Sequence, residues 1–154
     1  MGKTLIEAIE QNEHTVLGAA IERPDSDAIG RDAGEHAGLG SSGVSIVGNI
    51  GSVADEFDVL IDFTAPANTV ANAGVCAARG KAMVVGTTGC ADKDIMAIDA
   101  AAESTAICMA SNFSTGVNLC FKLLKEAAQA LGDDYDVEVV CLLYTSPSPR
   151  DRYG

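Results

Sequence analysis

The sequence predicts an α/β protein built on a doubly wound parallel sheet, with helices on both faces. From residue 58 onward, short aliphatic runs alternate with longer amphipathic segments. Strand–helix–strand repeats of this kind form right-handed crossovers between parallel strands. The composition agrees, because the chain has no Trp, an aromatic share of 5% and a hydrophobic content of 47%. These values are typical of the aliphatic core around a buried parallel sheet.

The amino-terminal part predicts short elements separated by a long loop. Three aliphatic residues share one face of the first segment, which indicates an amphipathic helix, and a run rich in Gly, Asp and Ser indicates the loop. In order, we predict a helix over residues 3–11, a strand over 14–21, a loop over 24–43, a short edge strand over 44–47 and a turn of helix over 52–56.

The rest of the chain alternates regularly between strands and helices. Pro66 suits the first turn of one helix, Thr64 or Ala65 stands where that helix needs an N-cap, and Ser114 suits the N-cap of another. In order, we predict a strand over residues 58–63, a helix over 66–79, a strand over 82–86, a helix over 92–103, a strand over 105–110, a helix over 114–131 and a strand over 136–140.

Both ends of the chain depart from this pattern. The chain opens on a helix, whereas a doubly wound sheet normally begins with a strand and a Gly-rich turn. Residues 141–154 have no periodicity and contain a Ser-Pro-Ser-Pro run, which cannot extend a β-ladder. We expect this tail to be non-native or disordered, and we prefer foreign sequence to a natural disordered tail.

The order of the strands can be predicted from the strand order that is usual in doubly wound sheets. In a sheet of order 3-2-1-4-5-6, the first strand lies between the second and the fourth. If residues 14–21 form the second strand and residues 58–63 the fourth, a missing first strand belongs between them. We therefore expect these two segments not to pair directly with each other.

Charge and cysteine content exclude several classes of protein. A formal net charge of −12 disfavours nucleic acid as a partner, because phosphates would be repelled. No apolar run is long enough for a membrane span and no signal peptide opens the chain, so we expect a cytoplasmic protein. The five cysteines form no Cys-x-x-Cys pair and lie far in sequence from the two histidines. We therefore expect no metal site and reduced, mostly buried thiols.

Candidate binding residues follow the strands, because ligands of doubly wound sheets bind at the carboxyl ends of the strands. Glu22 and Arg23 end the strand over residues 14–21. An acidic residue there can accept hydrogen bonds from ribose hydroxyls, and an adjacent arginine can pair with a 2′-phosphate. An ordinary solvated charge pair would explain the same two residues.

Two further candidate loops follow the next strands. Phe63 and Thr64 precede Pro66, and an N-cap at Thr64 would explain that residue without a ligand. Gly86 and Gly89 enclose two threonines, Thr87 and Thr88. Glycines allow a ligand to approach the backbone closely, and the threonines add hydroxyls beside a helix amino terminus.

The last candidate loop joins the strand over residues 105–110 to the long helix. Phe113 could belong to the core, which is the more common place for a lone Phe, or it could flank a flat ring. The candidate residues of this loop are Ala110, Ser111, Asn112 and Phe113.

Together these motifs resemble those of bacterial 4-hydroxy-tetrahydrodipicolinate reductases, also called dihydrodipicolinate reductases. The resemblance is collinear and covers about residues 1–140. Its motifs are ERP at 22–24, DFTAP at 62–66, GTTG at 86–89, SNFSTGVN at 111–118 and DVEVV at 136–140.

The resemblance implies a nicotinamide dinucleotide, NADPH or NADH, as cofactor. Glu22 would bind the adenosine ribose and Arg23 the phosphate of NADPH. The loop at Phe63 and Thr64 would add a contact to the ligand. The nicotinamide half would be lined by Gly86, Thr87, Thr88, Ala110, Ser111, Asn112 and Phe113.

The resemblance also implies the reaction. Enzymes of this family transfer a hydride to a cyclic dicarboxylate, reducing 4-hydroxy-tetrahydrodipicolinate to tetrahydrodipicolinate on the route to diaminopimelate and lysine. The resemblance further implies a homotetramer assembled through the substrate domain.

Finally, the resemblance offers an explanation of both ends. Met1-Gly2 matches the last residues of the family's glycine-rich turn, and Cys141 stands where the family continues towards its catalytic histidine and its substrate-binding lysine. Residues 1–140 would then be a partial, Rossmann-like dinucleotide-binding domain that lacks its first strand and the substrate domain. We expect such a chain to contain no catalytic residue, to bind the cofactor weakly or not at all, and to be inactive as a reductase.

Two other functions use the same fold. A nucleotide- or CoA-binding module without redox chemistry is one, although Glu22-Arg23 suits an adenosine ribose with a free or phosphorylated 2′ position. A regulatory dinucleotide sensor is the other, and it would need an attached DNA-binding segment, of which the acidic composition gives no sign.

Overall fold

The computed structural model describes residues 1–138 and Val140. The chain divides into two compact units, Met1–Ser111 and Asn112–Gly154. The elements are α1 (Gly2–Glu10), β1 (Ala20–Ile21), α2 (Ala33–Ala37), β2 (Ile46–Val47), a 3₁₀ turn (Ile50–Val53), β3 (Val59–Asp62), α3 (Pro66–Arg79), β4 (Ala82–Val85), α4 (Asp92–Ala102), β5 (Ile107–Met109) and α5 (Thr115–Leu131). In the described part of the chain, no helix has the length and apolar character that a membrane span requires.

All strand pairings within these elements are parallel, and they form two sheets. β1 pairs with β2, and β3, β4 and β5 form the second sheet in that order. Among the described residues, β1 and β3 share no ladder. The prediction that residues 14–21 do not pair directly with residues 58–63 is confirmed.

The second sheet is packed on one of its faces within Met1–Ser111. Met83 and Val85 of β4 are 1% and 0% exposed, and they contact Ala73 and Cys76 of α3 and Ile98 of α4. Burial of each such β4 side chain contributes about 1.5–3 kcal/mol to stability. On the opposite face of β3, Val59 and Ile61 are exposed. Within this unit α3 and α4 pack on one face of the sheet, and the predicted α/β fold of parallel strands and helices is confirmed.

The first sheet belongs to a separate small core. Leu17, Ala28, Ala33 and Ile46 are buried together, and two apolar residues of α1, Ile6 and Ile9, pack against them. This explains why α1 forms although none of its own residues is fully buried. An amphipathic helix obtains most of its stability from such packing.

The predicted bounds are wrong in several places in this part. The strand over residues 14–21 is reduced to Ala20–Ile21, because residues 14–19 have no ladder partner among the described residues. The Thr15 hydroxyl instead donates to the carbonyls of Ile9 and Asn12. Likewise, the strand over 44–47 is only Ile46–Val47. The turn of helix at 52–56 is a 3₁₀ turn at Ile50–Val53, where Asn49 Oδ1 accepts from the N–H of Gly51.

The loop over residues 24–43 contains a helix that the sequence analysis missed. Asp32 is the N-cap of α2, and its carboxylate also accepts hydrogen bonds from the N–H groups of Ser42 and Gly43 and from the hydroxyls of Ser41 and Ser42. Most of these bonds join residues about ten positions apart. The Asp32 side chain therefore helps to close the loop over residues 32–43, together with backbone bonds from Ala33 to Val44 and from Ile46 to Arg31.

The regular part of the chain agrees with the prediction within one or two residues. α3 runs from Pro66 to Arg79, and its C-cap is Gly80, whose φ of 63° favours glycine. Ser114 is the N-cap of α5 as predicted, with its Oγ accepting from the N–H of Val117 at 3.4 Å.

The last predicted strand is wrong for the residues that the structure describes. Residues 136–138 have no ladder partner and Val137 is exposed. Val139 of that prediction, and the tail over residues 141–154, lie outside the described residues.

The expectation for the cysteines is correct in one respect and wrong in another. Four are free thiols. Cys76 is buried and Cys90 is half-buried, but Cys108 and Cys120 are exposed. Cys108 is exposed because it lies on the open face of its sheet, in register with Val84. Cys141 lies outside the described residues.

Candidate functional site

Three predicted loops leave the second sheet side by side at its carboxyl edge. The N–H of Gly86 donates to the carbonyl of Asp62 at 2.8 Å, and the N–H of Ala110 donates to the carbonyl of Val85 at 3.1 Å. These bonds continue the parallel ladder beyond the ends of β4 and β5. The segments that begin at Phe63, Gly86 and Ala110 therefore start from one edge, as the sequence predicts.

The first two of these loops are in direct contact through Phe63. The ring of Phe63 lies against the α-carbon of Gly86 so closely that a methyl group at that position would overlap the ring. Glycine is therefore required here for the close approach of a side chain. The aromatic ring of one loop is fixed above the backbone of the next.

Asp62, the last residue of β3, forms a polar network that also joins the two loops. Its side chain is 2% exposed. Oδ1 accepts from the N–H of Thr64 at 2.9 Å and from the hydroxyls of Thr64 at 2.6 Å, Thr87 at 3.2 Å and Thr69 at 3.3 Å. Oδ2 accepts from Nδ2 of Asn72 at 2.8 Å. Every buried polar side-chain atom in the described residues has a partner, so this carboxylate is well satisfied despite its burial.

The two threonines of the GTTG turn have different surroundings. Thr87 is 3% exposed, and its hydroxyl accepts from the Thr64 N–H at 3.0 Å and from the Thr69 hydroxyl at 2.8 Å. Thr88 is exposed, and no hydrogen bond of its hydroxyl is seen in the described part of the chain. Thr87 thus joins the loops together, whereas Thr88 presents its hydroxyl to solvent.

Three members of this network were missed as candidate residues: Asp62, Thr69 and Asn72. A signal was available for all three. Thr69 and Asn72 are three positions apart in α3, whose residues are mostly small and apolar, so their side chains lie on the same face of the helix. For Asp62, a carboxylate at the end of an aliphatic strand is the corresponding signal.

The network also affects a buried cysteine of α3. Burial and, to a smaller extent, the negative charge of Asp62 raise the pKa of the Cys76 thiol. Cys76 therefore remains a neutral thiol at physiological pH and acts as a small apolar core residue.

Thr64 is not the N-cap of α3. Ala65 occupies that position, and no side chain caps the first turn. The alternative explanation of Thr64 as a capping residue is therefore wrong, because its hydroxyl donates to Asp62 instead. Thr64 is exposed at the surface of the loop.

Glu22 and Arg23 lie at the carboxyl end of the other sheet. The N–H of Glu22 donates to the carbonyl of Val47 at 3.0 Å, which places both residues directly after β1 as predicted. The Glu22 carboxylate accepts from the N–H of Arg23 at 3.0 Å. Both side chains are exposed, so the carboxylate and the guanidinium are accessible to a ligand.

The fourth candidate loop crosses the boundary between the two units. Ala110 and Ser111 belong to the first unit, and Asn112 and Phe113 to the second. Within the second unit, Asn112 Oδ1 accepts from the N–H of Ser114 at 2.7 Å. Phe113 is 44% exposed, so a place in the core does not explain it.

The chemistry of these groups fits the two ends of a dinucleotide differently. The carboxyl edge of β3 and β4 offers an aromatic ring, exposed hydroxyls and glycine backbone, which suit a flat ring with an amide substituent. The end of β1 offers an exposed carboxylate and guanidinium, which suit a ribose and a phosphate.

Comparison with known proteins identifies a family. The family described as "Dihydrodipicolinate reductase, N-terminus" matches residues 1–113. The 4-hydroxy-tetrahydrodipicolinate reductase of Saccharophagus degradans is 59% identical over 139 residues, which cover 90% of this chain and 52% of that protein. The chain spans about half the length of this curated relative.

Two solved structures share the fold. Dipicolinate-bound dihydrodipicolinate reductase from Paenisporosarcina sp. TG-14 has a TM-score of 0.65 at 23% identity, over 82% of this chain and 49% of that one. Amine dehydrogenase from Mycobacterium smegmatis has a TM-score of 0.55 at 20% identity, over 70% of this chain and 35% of that one. At these identities the likeness shows the α/β fold alone.

Proposed function

Because the chain belongs to the family of dihydrodipicolinate reductase N-terminal domains, we propose that it is the dinucleotide-binding half of a 4-hydroxy-tetrahydrodipicolinate reductase. One observation of the structure carries this proposal. The DFTAP and GTTG segments, which are distant in sequence, lie in contact at the carboxyl edge of β3 and β4. Ligands of doubly wound sheets bind at that edge.

We propose that the cofactor is NADPH or NADH and that its two ends use the two sheets. At the end of β1, Glu22 accepts hydrogen bonds from the adenosine ribose and Arg23 pairs with a 2′-phosphate where one is present. At the end of β3 and β4, the contacts to the nicotinamide half come from Phe63, Thr64, Gly86, Thr87, Thr88, Ala110, Ser111, Asn112 and Phe113. Thr87 is buried, so its proposed contribution is to hold the GTTG turn in place through its bonds to Thr64 and Asp62.

The bound cofactor supplies the hydride. The residues of this chain bind and orient it, and none of them is assigned as the acid that protonates the product. In the proposed reaction of the whole enzyme, the substrate is a cyclic dicarboxylate that is reduced to tetrahydrodipicolinate on the route to diaminopimelate and lysine.

The remaining proposals concern the cellular setting. We place the enzyme in the cytoplasm, as a biosynthetic reductase that does not bind membranes. The net charge of −12 supports the absence of a nucleic-acid partner. Assembly as a homotetramer is proposed through the half of the relatives that this chain does not cover.

Ligand titration tests the proposed cofactor class. We expect saturation-transfer NMR, which detects weak ligands, to show contact of the protein with the nicotinamide protons of NADPH and NADH, and no comparable contact with CoA. In ¹⁵N-labelled protein, the amides of Gly86, Thr87 and Thr88 should shift on addition of either dinucleotide. Binding of CoA with equal strength, or shifts confined to other residues, would contradict the proposal.

A further inference from the structure

The hydrogens of the Asp62 network can be counted. Each threonine hydroxyl has one hydrogen to donate and lone pairs to accept. Thr64 and Thr87 donate to Oδ1 of Asp62. The single hydroxyl hydrogen of Thr69 is shared between Oγ1 of Thr87 at 2.8 Å and Oδ1 of Asp62 at 3.3 Å, and the hydroxyl oxygens of Thr64 and Thr69 lie 3.5 Å apart. All three hydroxyl hydrogens are therefore used inside the network.

Thr64 is the exposed member of the network, and the direction of its hydroxyl hydrogen determines what it can offer to a ligand. Its bond to Asp62, at 2.6 Å, is the shortest of the network, and hydrogen bonds from hydroxyls to carboxylates are among the stronger ones. The Thr64 hydrogen therefore remains directed towards Asp62. What Thr64 Oγ1 offers to a ligand is a lone pair, so it accepts and does not donate.

We propose that Asp62 is a positioning residue that fixes the Thr64 hydroxyl as an acceptor, so that this site selects a ligand carrying an N–H donor, such as a primary amide, over one carrying a carboxylate. The proposal rests on the proposed function for the identity of the ligand, since a nicotinamide dinucleotide carries a primary amide. Beyond that function, it states which substituent on the ring the site prefers, and it attributes the preference to Asp62, which is 2% exposed.

Several hydrogen bonds fix the orientation of the Asp62 carboxylate. Asn72 donates to its Oδ2, and the N–H groups and hydroxyls of the two loops converge on its Oδ1. Both oxygens of the carboxylate accept hydrogen bonds, so it is held from two sides. Asp62 is therefore fixed before any ligand arrives.

The first test needs no ligand. In labelled protein at low temperature, we expect a slowly exchanging hydroxyl proton for Thr64. It should be lost in Asp62→Ala. It should persist in Asp62→Asn, because the side-chain oxygen of Asn still accepts at the Oδ1 position while Asn72 turns its amide to meet the new NH₂ group. Absence of this proton in the parent protein, or its persistence in Asp62→Ala, would overturn the proposal.

The second test compares two ligands that differ only in the relevant group: NAD⁺, with a carboxamide, and its deamidated analogue, with a carboxylate. Shift titration of the Thr88 amide should give an affinity for NAD⁺ at least about tenfold higher, the difference expected for one good hydrogen bond replaced by a mismatch. Equal affinities would overturn the proposal.

Substitutions at Thr64 separate positioning from general loss of structure. Thr64→Val should weaken NAD⁺ by about fivefold to tenfold and change the deamidated analogue by less than about twofold. Thr64→Ser, which keeps the hydroxyl, should restore the preference for NAD⁺. A merely structural role of Thr64 predicts equal losses for both ligands. If neither dinucleotide binds at all, the proposed function fails, while the hydroxyl-proton measurement still decides the role of Asp62.

Discussion

Two regions of the first unit are held together in different ways. In the layered region, which comprises β3 to β5 with α3 and α4, three strands share one ladder and the side chains of β4 are buried against two helices. In the looped region, residues 2–53, the strands have two residues each and a carboxylate at Asp32 closes the main loop. The first region is stabilised mainly by apolar burial, and the second depends more on bonds from side chains to the backbone.

This difference predicts which changes would destabilise each region. The stabilisation that comes from apolar burial does not depend on pH, but it falls when buried volume is removed. A loop closed by a carboxylate tolerates many changes of its exposed residues, yet it depends on the charge of one group. The nicotinamide end of the proposed cofactor site therefore combines apolar burial with the buried Asp62 carboxylate, whereas the adenosine end lies in the region that Asp32 helps to close.

The largest effect is expected from a cavity in the layered region. Met83→Ala should lower the free energy of unfolding by about 2–5 kcal/mol, because it removes a fully buried side chain. Urea denaturation monitored by circular dichroism measures this. The matched control is Met96→Ala on α4, where the methionine is 71% exposed and a change within about 0.5 kcal/mol is expected. Equal losses in the two variants would show that the layered region is not the stable core.

A smaller loss is expected where the two loops touch. Gly86→Ala places a methyl group within the ring of Phe63, and overpacking of this kind costs about 1–3 kcal/mol. It should also displace the ring and weaken nicotinamide binding. Gly74→Ala is the control, because nothing lies near that position of α3, and it should stabilise the protein by about 0.5–1 kcal/mol. An unchanged Phe63 ring shift in Gly86→Ala would refute the close contact.

Acid should loosen the looped region by protonating Asp32, whose charged carboxylate accepts the hydrogen bonds of this loop. Hydrogen bonds from the backbone of Ser42, then from that of Glu35, hold the pKa of Asp32 well below its ordinary value of 3.8. A lowered pKa stabilises the folded loop above that ordinary value, and the contribution is lost as the pH falls towards the lower folded value. We expect the amide shifts of Ser42 and Gly43 to stay constant down to about pH 4 and to move below it.

The control for this titration is Asp32→Asn, in which the shifts of Ser42 and Gly43 should no longer respond to acid. Asp25→Asn, a change of an exposed aspartate in the same loop segment, should leave the response intact. A midpoint at or above pH 3.8 in the parent protein would contradict the lowered pKa.

The smallest effect is expected at the adenosine end of the looped region. Arg23→Ala should weaken NADPH by about fivefold and NADH by less than about twofold, because only NADPH carries the 2′-phosphate that the guanidinium can pair with. Competition NMR with the two dinucleotides measures the ratio. Equal losses would remove Arg23 from the phosphate role. Arg79→Ala, at an exposed ion pair with Asp55, should change neither affinity.

The layered region could be predicted from the sequence because its signals are local. Aliphatic runs alternate with segments of helical spacing and Pro66 starts α3, and each of these signals acts over a few residues. The looped region was predicted less well for the same reason. Its α2 helix and its loop closure depend on Asp32 bonding to residues about ten positions away, and no short-range pattern reports such bonds.

For the candidate site too, local signals predicted one part and tertiary contacts decided the rest. By itself the sequence determined which loops follow the strands, since strand ends can be read from apolar runs, and so it located Phe63, Thr64 and the GTTG turn. Only the tertiary structure decided that Asp62 is their common acceptor, that Thr87 turns inward while Thr88 stays exposed, and that β1 and β3 share no ladder among the described residues. The physical reason is that hydrogen-bond partners and strand neighbours are chosen by packing between segments distant in sequence, where local periodicity carries no information.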